Sequence, residues 1–230
     1  MIQRAGLVVL SSFLLLSAAA PAPQREPAAP PASALSLVIT EIMYDPQSGE
    51  SDDVQTEWVE IKNVGSQPVS LRGLQITSGT KGKIHDAKQR FVLPDVTIAP
   101  NDHAVIGIGA ASCYAPFRLP PFAAHCGEGK YAWLTNTGDS VAIRDGKSNI
   151  IDEVVYGTES PWPAANRSGG SIQFVAPNGQ SPGEANDEPA NWVVSNTGNS
   201  TEFKDHGRGT PGEPPKNGGA TTQPVSAKRK

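Results

Sequence analysis

The densest set of groups able to do chemistry lies between residues 45 and 57, in DPQSGESDDVQTE. Asp45, Glu50, Asp52, Asp53 and Glu57 place carboxylates at short intervals on a stretch with no apolar pattern. Clustered hard oxygen donors on a flexible loop are what calcium takes, and Asp45, Asp52, Asp53 and Glu57 are the candidate ligands. The competing reading is a solvated turn, because the spacing is not that of an EF-hand loop. Asn186, Asp187 and Glu188 form a smaller group that assists only if the fold brings it near. Calcium is the one cofactor these residues suggest, and no other is expected.

Glu41 and Glu60 each interrupt an apolar run. Carboxylates that face one another can do acid and base chemistry or hold a cation. Here the expectation is a structural role, with both acids on exposed strand faces or paired with Lys62 or Arg72. His85, His103, His125 and His206 are scattered, and no Ser or Cys has a partner at a recognisable spacing. H-E-x-x-H, the P-loop and a G-x-G-x-x-G after a strand are all missing. A triad assembled in space escapes such a search, since triads are recognised by geometry. No catalytic residue is assigned. The alternative is an exported hydrolase of unrecognised type, with or without a metal, using acids such as Glu41, Glu60 and Asp52.

The chain has two cysteines, Cys113 and Cys126. In an oxidising compartment the simplest reading is a disulfide across YAPFRLPPFAAH, and closing a loop of that size stabilises by roughly 3 kcal/mol. His125 and His103 do not complete a recognised zinc spacing with them. The loop also carries Tyr114, Phe117 and Phe122, with Tyr131 and Trp133 close behind. Exposed on a stapled loop, such rings could stack on sugar faces or enter a protein groove, so Tyr114, Phe117 and Phe122 are candidate binding residues. The competing reading folds them back over one end of the domain.

These groups need a scaffold, and the residues point to strands. EWVEIKN, 57 to 63, sets a large aromatic beside β-branched residues and stops at Asn63, Gly65 and Ser66. SLVITEIMYDP, 36 to 46, precedes it and ends at Asp45 and Pro46. Period two puts Val59 and Ile61 on one face, and Trp58, Glu60 and Lys62 on the other, so one face is meant for a core. Short apolar segments recur around 37–44, 57–63, 69–77, 96–98, 103–108, 140–144, 150–156, 171–175 and 191–194, with 23 Gly and 21 Pro supplying turns. Val141 and Ile143 share a face opposite Arg144, whereas IIDEVVYG is mixed on both faces. The expectation is one all-β domain of sandwich type.

The order ITEIMYDP, acidic loop, EWVEIKN, PVSLRGLQI, IAPNDHAVIG, LTNTGDSVAIRDG, IIDEVVYG and a closing GTPGEPP resembles the lamin tail domain family, in its bacterial secreted form. The resemblance spans residues 36–215 and implies an immunoglobulin-like β-sandwich; it supplies no catalytic residues. Residues 78–90 and the cysteine loop look like insertions relative to the family pattern, and Leu74 stands where members often have Trp. No coiled-coil rod is present, so the filament role of animal lamins does not transfer.

Residues 1–20 read as a signal peptide, with Arg4 as the charged end, LVVLSSFLLL as the apolar centre and SAAA at the cleavage end. Residues 21–35 are a Pro/Ala-rich linker, and 216–230 a disordered tail ending in Lys228, Arg229 and Lys230. The mature protein is expected to be secreted, periplasmic or on the cell surface, without a transmembrane segment. Net charge is −4 and pI about 5.6, so nucleic acid is an unlikely partner. The reading is an exported, non-catalytic binding or structural module that engages a protein, glycan or cell-envelope component.

Overall fold

A computed structural model of the protein describes residues 36–46, 57–80, 89–107, 134–165, 169–195 and 209–210. Eleven strands run through these described residues in chain order: β1 Leu37–Met43, β2 Trp58–Asn63, β3 Val69–Ser70, β4 Gln75–Thr80, β5 Gln89–Val92, β6 Thr97–Ile98, β7 His103–Gly107, β8 Gly138–Arg144, β9 Ile150–Gly157, β10 Ser171–Phe174 and β11 Trp192–Ser195. They form a five-stranded sheet ordered β11-β10-β1-β2-β7, a four-stranded sheet ordered β5-β4-β8-β9, and a small β3-β6 pair. All their pairings are antiparallel. The two larger sheets enclose one apolar core in an immunoglobulin-like sandwich, with Ile39, Ile42, Val59, Ile61, Ile106 and Ile172 from the first and Ile76, Val141, Ile143, Val154 and Tyr156 from the second.

Turn chemistry sets the strand ends. Asn63 closes β2: its Nδ2 donates to the carbonyls of Gln67 (2.7 Å) and Ile98 (3.0 Å), and its Oδ1 accepts the Gly65 N–H (2.9 Å). A Cβ on Gly65 would lie 2.8 Å from Ser36 Cβ, so only glycine lets the turn pass that close. The segment 69–77, expected as one strand, is two: β3 and β4 are separated by a turn in which Gly73 has φ +76°. Leu71 and Leu74 on either side of that turn are buried in the core, which also accommodates Leu74 in place of Trp. β5, unanticipated in the sequence, pairs with β4 from Gln75↔Val92 to Ser78↔Gln89.

A β-bulge in β1 decides which of its side chains face the core. Ile39 opposes Ile61 and Glu41 opposes Glu60, which leaves Thr40 as the extra residue. The bulge lets Ile39 and Ile42 both join the core while Glu41 turns to the other side of the sheet. That other side is buried as well: Val38, Met43, Trp58 and Val105 are at most 3% exposed yet stand apart from the central core. The expectation of one core face on β2 is thereby corrected to two.

Candidate functional site: two buried carboxylates

Glu41 and Glu60 are buried, at 0% and 1% exposure, and neither sits on an exposed face as the sequence suggested. The cause is the five-stranded sheet's second covered side, across which Gly209 and Thr210 lie. A Cβ on Gly209 would come within 2.3 Å of the Trp58 ring and 3.2 Å of Glu41 Oε1. Glu41 Oε1 accepts the Thr210 N–H (2.8 Å) and the Ser171 hydroxyl, while Oε2 accepts from Thr210 Oγ1 (3.2 Å) and Gln173 Nε2 (3.5 Å). Burial, and after it the facing Glu60 charge, push Glu41 up to about 8 despite the hydroxyl and amide donors that favour its ionised form. At neutral pH Glu41 therefore carries a proton.

Glu60 Oε1 accepts from Thr40 Oγ1 at 2.6 Å, so the bulge residue itself serves the acid pair. His103 Nε2 lies 3.9 Å from the same oxygen. Burial lowers the His103 pKa, Lys62 lowers it further, and Asp102 works against both, so the imidazole is neutral at physiological pH. Among the described contacts, hydroxyl and amide donors meet the two acids.

Another buried acid, Asp152, stands between the sheets. On β9 the inward stripe is Asp152, Val154 and Tyr156, which resolves the mixed pattern of IIDEVVYG. Beyond the bulge, β10 pairs with β1 at Glu41 and Ile42, and the Ile39 peptide is met by side chains instead. Asp152 Oδ2 accepts the Ile39 N–H at 2.8 Å, and Asn186 Nδ2 donates to Ile39 O at 3.2 Å and to Asp152 Oδ2 at 2.9 Å. Together the two side chains stand in for a neighbouring strand. Asn186 caps the short helix α1, Pro182–Ala185, and its carbonyl accepts Trp192 Nε1 at 2.7 Å. Burial pushes Asp152 up to about 7, against the donors that favour its charge.

Of the candidate calcium ligands, Asp52 and Asp53 lie outside the described residues, as do Glu50, Cys113, Cys126, Tyr114, Phe117 and Phe122. Glu57 is buried and its Oε2 accepts the Leu134 N–H at 2.9 Å; Asp45 Oδ1 accepts from Asn136 Nδ2 at 3.1 Å. Both ends of the acidic loop are thus joined to the segment leading into β8. Asn186 belongs to the Asp152 latch. Among the described residues, no group of three or more His, Cys, Asp or Glu is placed to hold a metal ion.

What the geometry defines is an antiparallel sandwich whose acids are turned inward and used as acceptors for its own backbone and hydroxyls. The family model for the lamin tail domain matches residues 30–158, and the chain belongs to that family. The match stops before β10, β11 and Thr210, which cover β1 on one side. Among solved structures the chain is similar to a DUF4876 family protein from Bacteroides thetaiotaomicron, at 15% identity and a TM-score of 0.44, over 81% of this chain and 74% of that chain. No curated protein matches.

Proposed function

We propose that this lamin tail domain protein is an exported, non-catalytic module that holds a protein, glycan or cell-envelope component. The observation that carries this reading is the fate of Glu41 and Glu60. The acids that a hydrolytic mechanism would have used are buried and engaged by Thr40, Ser171 and Thr210, which makes them parts of the fold. Export follows from the signal-like residues 1–20, and the binding contacts fall to loops between strands, where sandwich domains carry recognition. The aromatic loop with Tyr114, Phe117 and Phe122, stapled by Cys113 and Cys126, is the proposed contact surface, and the acidic loop of Asp45, Asp52, Asp53 and Glu57 a proposed calcium-dependent element.

The test is cosedimentation of the mature chain with the insoluble cell-envelope fraction of its own organism, in calcium and again in EDTA. Pelleting in both supports the binding role without calcium; pelleting in calcium alone supports both parts. A chain that stays in the supernatant throughout overturns the envelope role.

A further inference from the structure

Between β10 and α1 the chain runs through Ala176, Pro177, Asn178, Gly179 and Gln180 before Ser181 caps the helical turn. Among the described contacts none of these five residues makes a hydrogen bond; the nearest on either side run from the Val175 N–H to Asn191 O and from the Ala185 N–H to Ser181 O. Asn178 and Gly179 are exposed, Gly179 sits at φ +80°, and a Cβ built on it would meet nothing within 4 Å. Asparagine before glycine is the pair whose side-chain amide lies most open to the next main-chain nitrogen, because glycine carries no side chain to shield that nitrogen and turns freely about it. The other described asparagines are held. Asn149 gives its Nδ2 to Asp145 Oδ2 at 2.7 Å and precedes the β-branched Ile150. Asn63, Asn136, Asn186 and Asn191 each donate through Nδ2 to a carbonyl or carboxylate, and Asn101 precedes Asp102, whose N–H is bonded to Ala99 O at 3.0 Å.

We propose that Asn178 and Gly179 form a self-modification site, at which the folded chain loses ammonia and gains an acid in the loop between β10 and α1. The Gly179 main-chain nitrogen, having given its proton to hydroxide, attacks Asn178 Cγ. The N–Cγ bond forms, the Cγ–Nδ2 bond breaks, and Nδ2 leaves as ammonia with a proton from water, which closes a five-membered succinimide. Water then adds to one of the two ring carbonyls. Opening at one leaves aspartate; opening at the other leaves isoaspartate, whose main chain is longer by one carbon. No oxidant or reductant enters, and either product adds one negative charge. The missing hydrogen bonds matter twice: they leave Asn178 free to turn toward ring closure, and they leave nothing to break when the main chain lengthens. Asn186 keeps its contacts to Ile39 and Asp152, because α1 stands between it and the modified loop. The change is one of charge and not of fold, and it is independent of the partner proposed above.

The experiment is tryptic peptide mapping of the purified full chain after it is held folded in mildly alkaline buffer at growth temperature, with a sample unfolded in guanidinium beside it. Cleavage at Lys and Arg puts Asn178 in the fragment 168–204 and Asn149 in 148–167, while the other Asn–Gly pair, Asn217 and Gly218, falls in a separate fragment and is scored apart. Tandem mass spectrometry is expected to place a gain of about 1 Da on Asn178, in two chromatographically distinct products. In the folded chain Asn178 is expected to react about tenfold or more faster than Asn149, and within about tenfold of its own rate in guanidinium. Gly179→Ala is expected to slow the reaction about tenfold. Since alanine at φ +80° is strained, Asn178→Asp supplies a second reading: it carries the product charge and should melt within about 2 °C of the unmodified chain. Asn178 reacting no faster than Asn149 in the folded chain, or losing its amide only in guanidinium, overturns the site. A rate unchanged in Gly179→Ala overturns the route through the Gly179 nitrogen, and a marked fall in melting temperature in Asn178→Asp overturns the tolerance of the loop.

Discussion

Glu41 and Asp152 are both buried acids with strongly raised pKa values, and they are met in opposite ways. Asp152 works inside the sandwich: it spans from β9 to the Ile39 peptide and substitutes, with Asn186, for a strand that is not there. Glu41 works on the outer side of the five-stranded sheet and holds down two residues that belong to no strand. One acid closes a gap in the backbone hydrogen-bond ladder, and the other fastens a cover. An acid that completes a ladder cannot be lost without leaving buried donors unmet, whereas one that fastens a cover is lost only at the cost of the cover.

The largest expected effect engages both acids at once. Each has a folded pKa above its unfolded value, so between the two values the native chain binds more protons than the unfolded one. Stability from these groups is therefore full at acidic pH and declines as pH rises, through about 7 for Asp152 and about 8 for Glu41. Melting temperature should be on the order of 10 °C higher at about pH 5 than at about pH 8, read by circular dichroism. Asp145, whose pKa is lowered by Asn149 contacts, titrates below that window and leaves it undisturbed. Glu41→Gln and Asp152→Asn should each flatten part of the slope. A slope that survives in the double variant would show that the acids are not its source.

The next effect separates the two. Asp152→Ala strips the acceptor from the Ile39 N–H and from one Asn186 contact, both buried, and should cost about 3 kcal/mol in denaturant unfolding. On the outer side, Gly209→Ala drives a methyl into the Trp58 ring, and the loss should be about 2 kcal/mol. If Gly209→Ala proved the costlier, the outer layer would be as integral to the fold as the inter-sheet latch.

Much of this architecture is legible in the residues. The turn at Asn63 and Gly65, the two apolar runs before it and the alternation of Val141 and Ile143 all report strands, because each is decided by local geometry. The bulge is not legible. ITEIMY breaks period two between Ile39 and Ile42, and a lone sequence cannot show whether the extra residue is Thr40 or a change of face. The burial of Glu41 and Glu60 escapes the sequence for a related reason: an acid in an apolar strand normally marks the solvent side, and the cover that reverses this arrives from residues 209–210, more than a hundred positions away. Asp152 carries no signal of its own, since its partner Asn186 lies at the end of a four-residue helix that no periodicity announces.

The smallest effect tests the same contrast through the glycine beside the inner acid. Gly183 lies in α1, where a Cβ would sit 3.7 Å from Asp152 Oδ1 and 3.9 Å from Val38 Cγ2, ordinary contact distances that require no movement. Alanine there loses less backbone entropy on folding than glycine, so Gly183→Ala should change stability by less than about 1 kcal/mol, toward greater stability. The added methyl also takes the place of any water beside Oδ1, which favours the protonated acid and should steepen the fall in melting temperature between about pH 5 and pH 8 by a small amount. A marked loss of stability in Gly183→Ala would mean that Asp152 Oδ1 depends on that space, and the latch would then be a hydrated site and not a dry one.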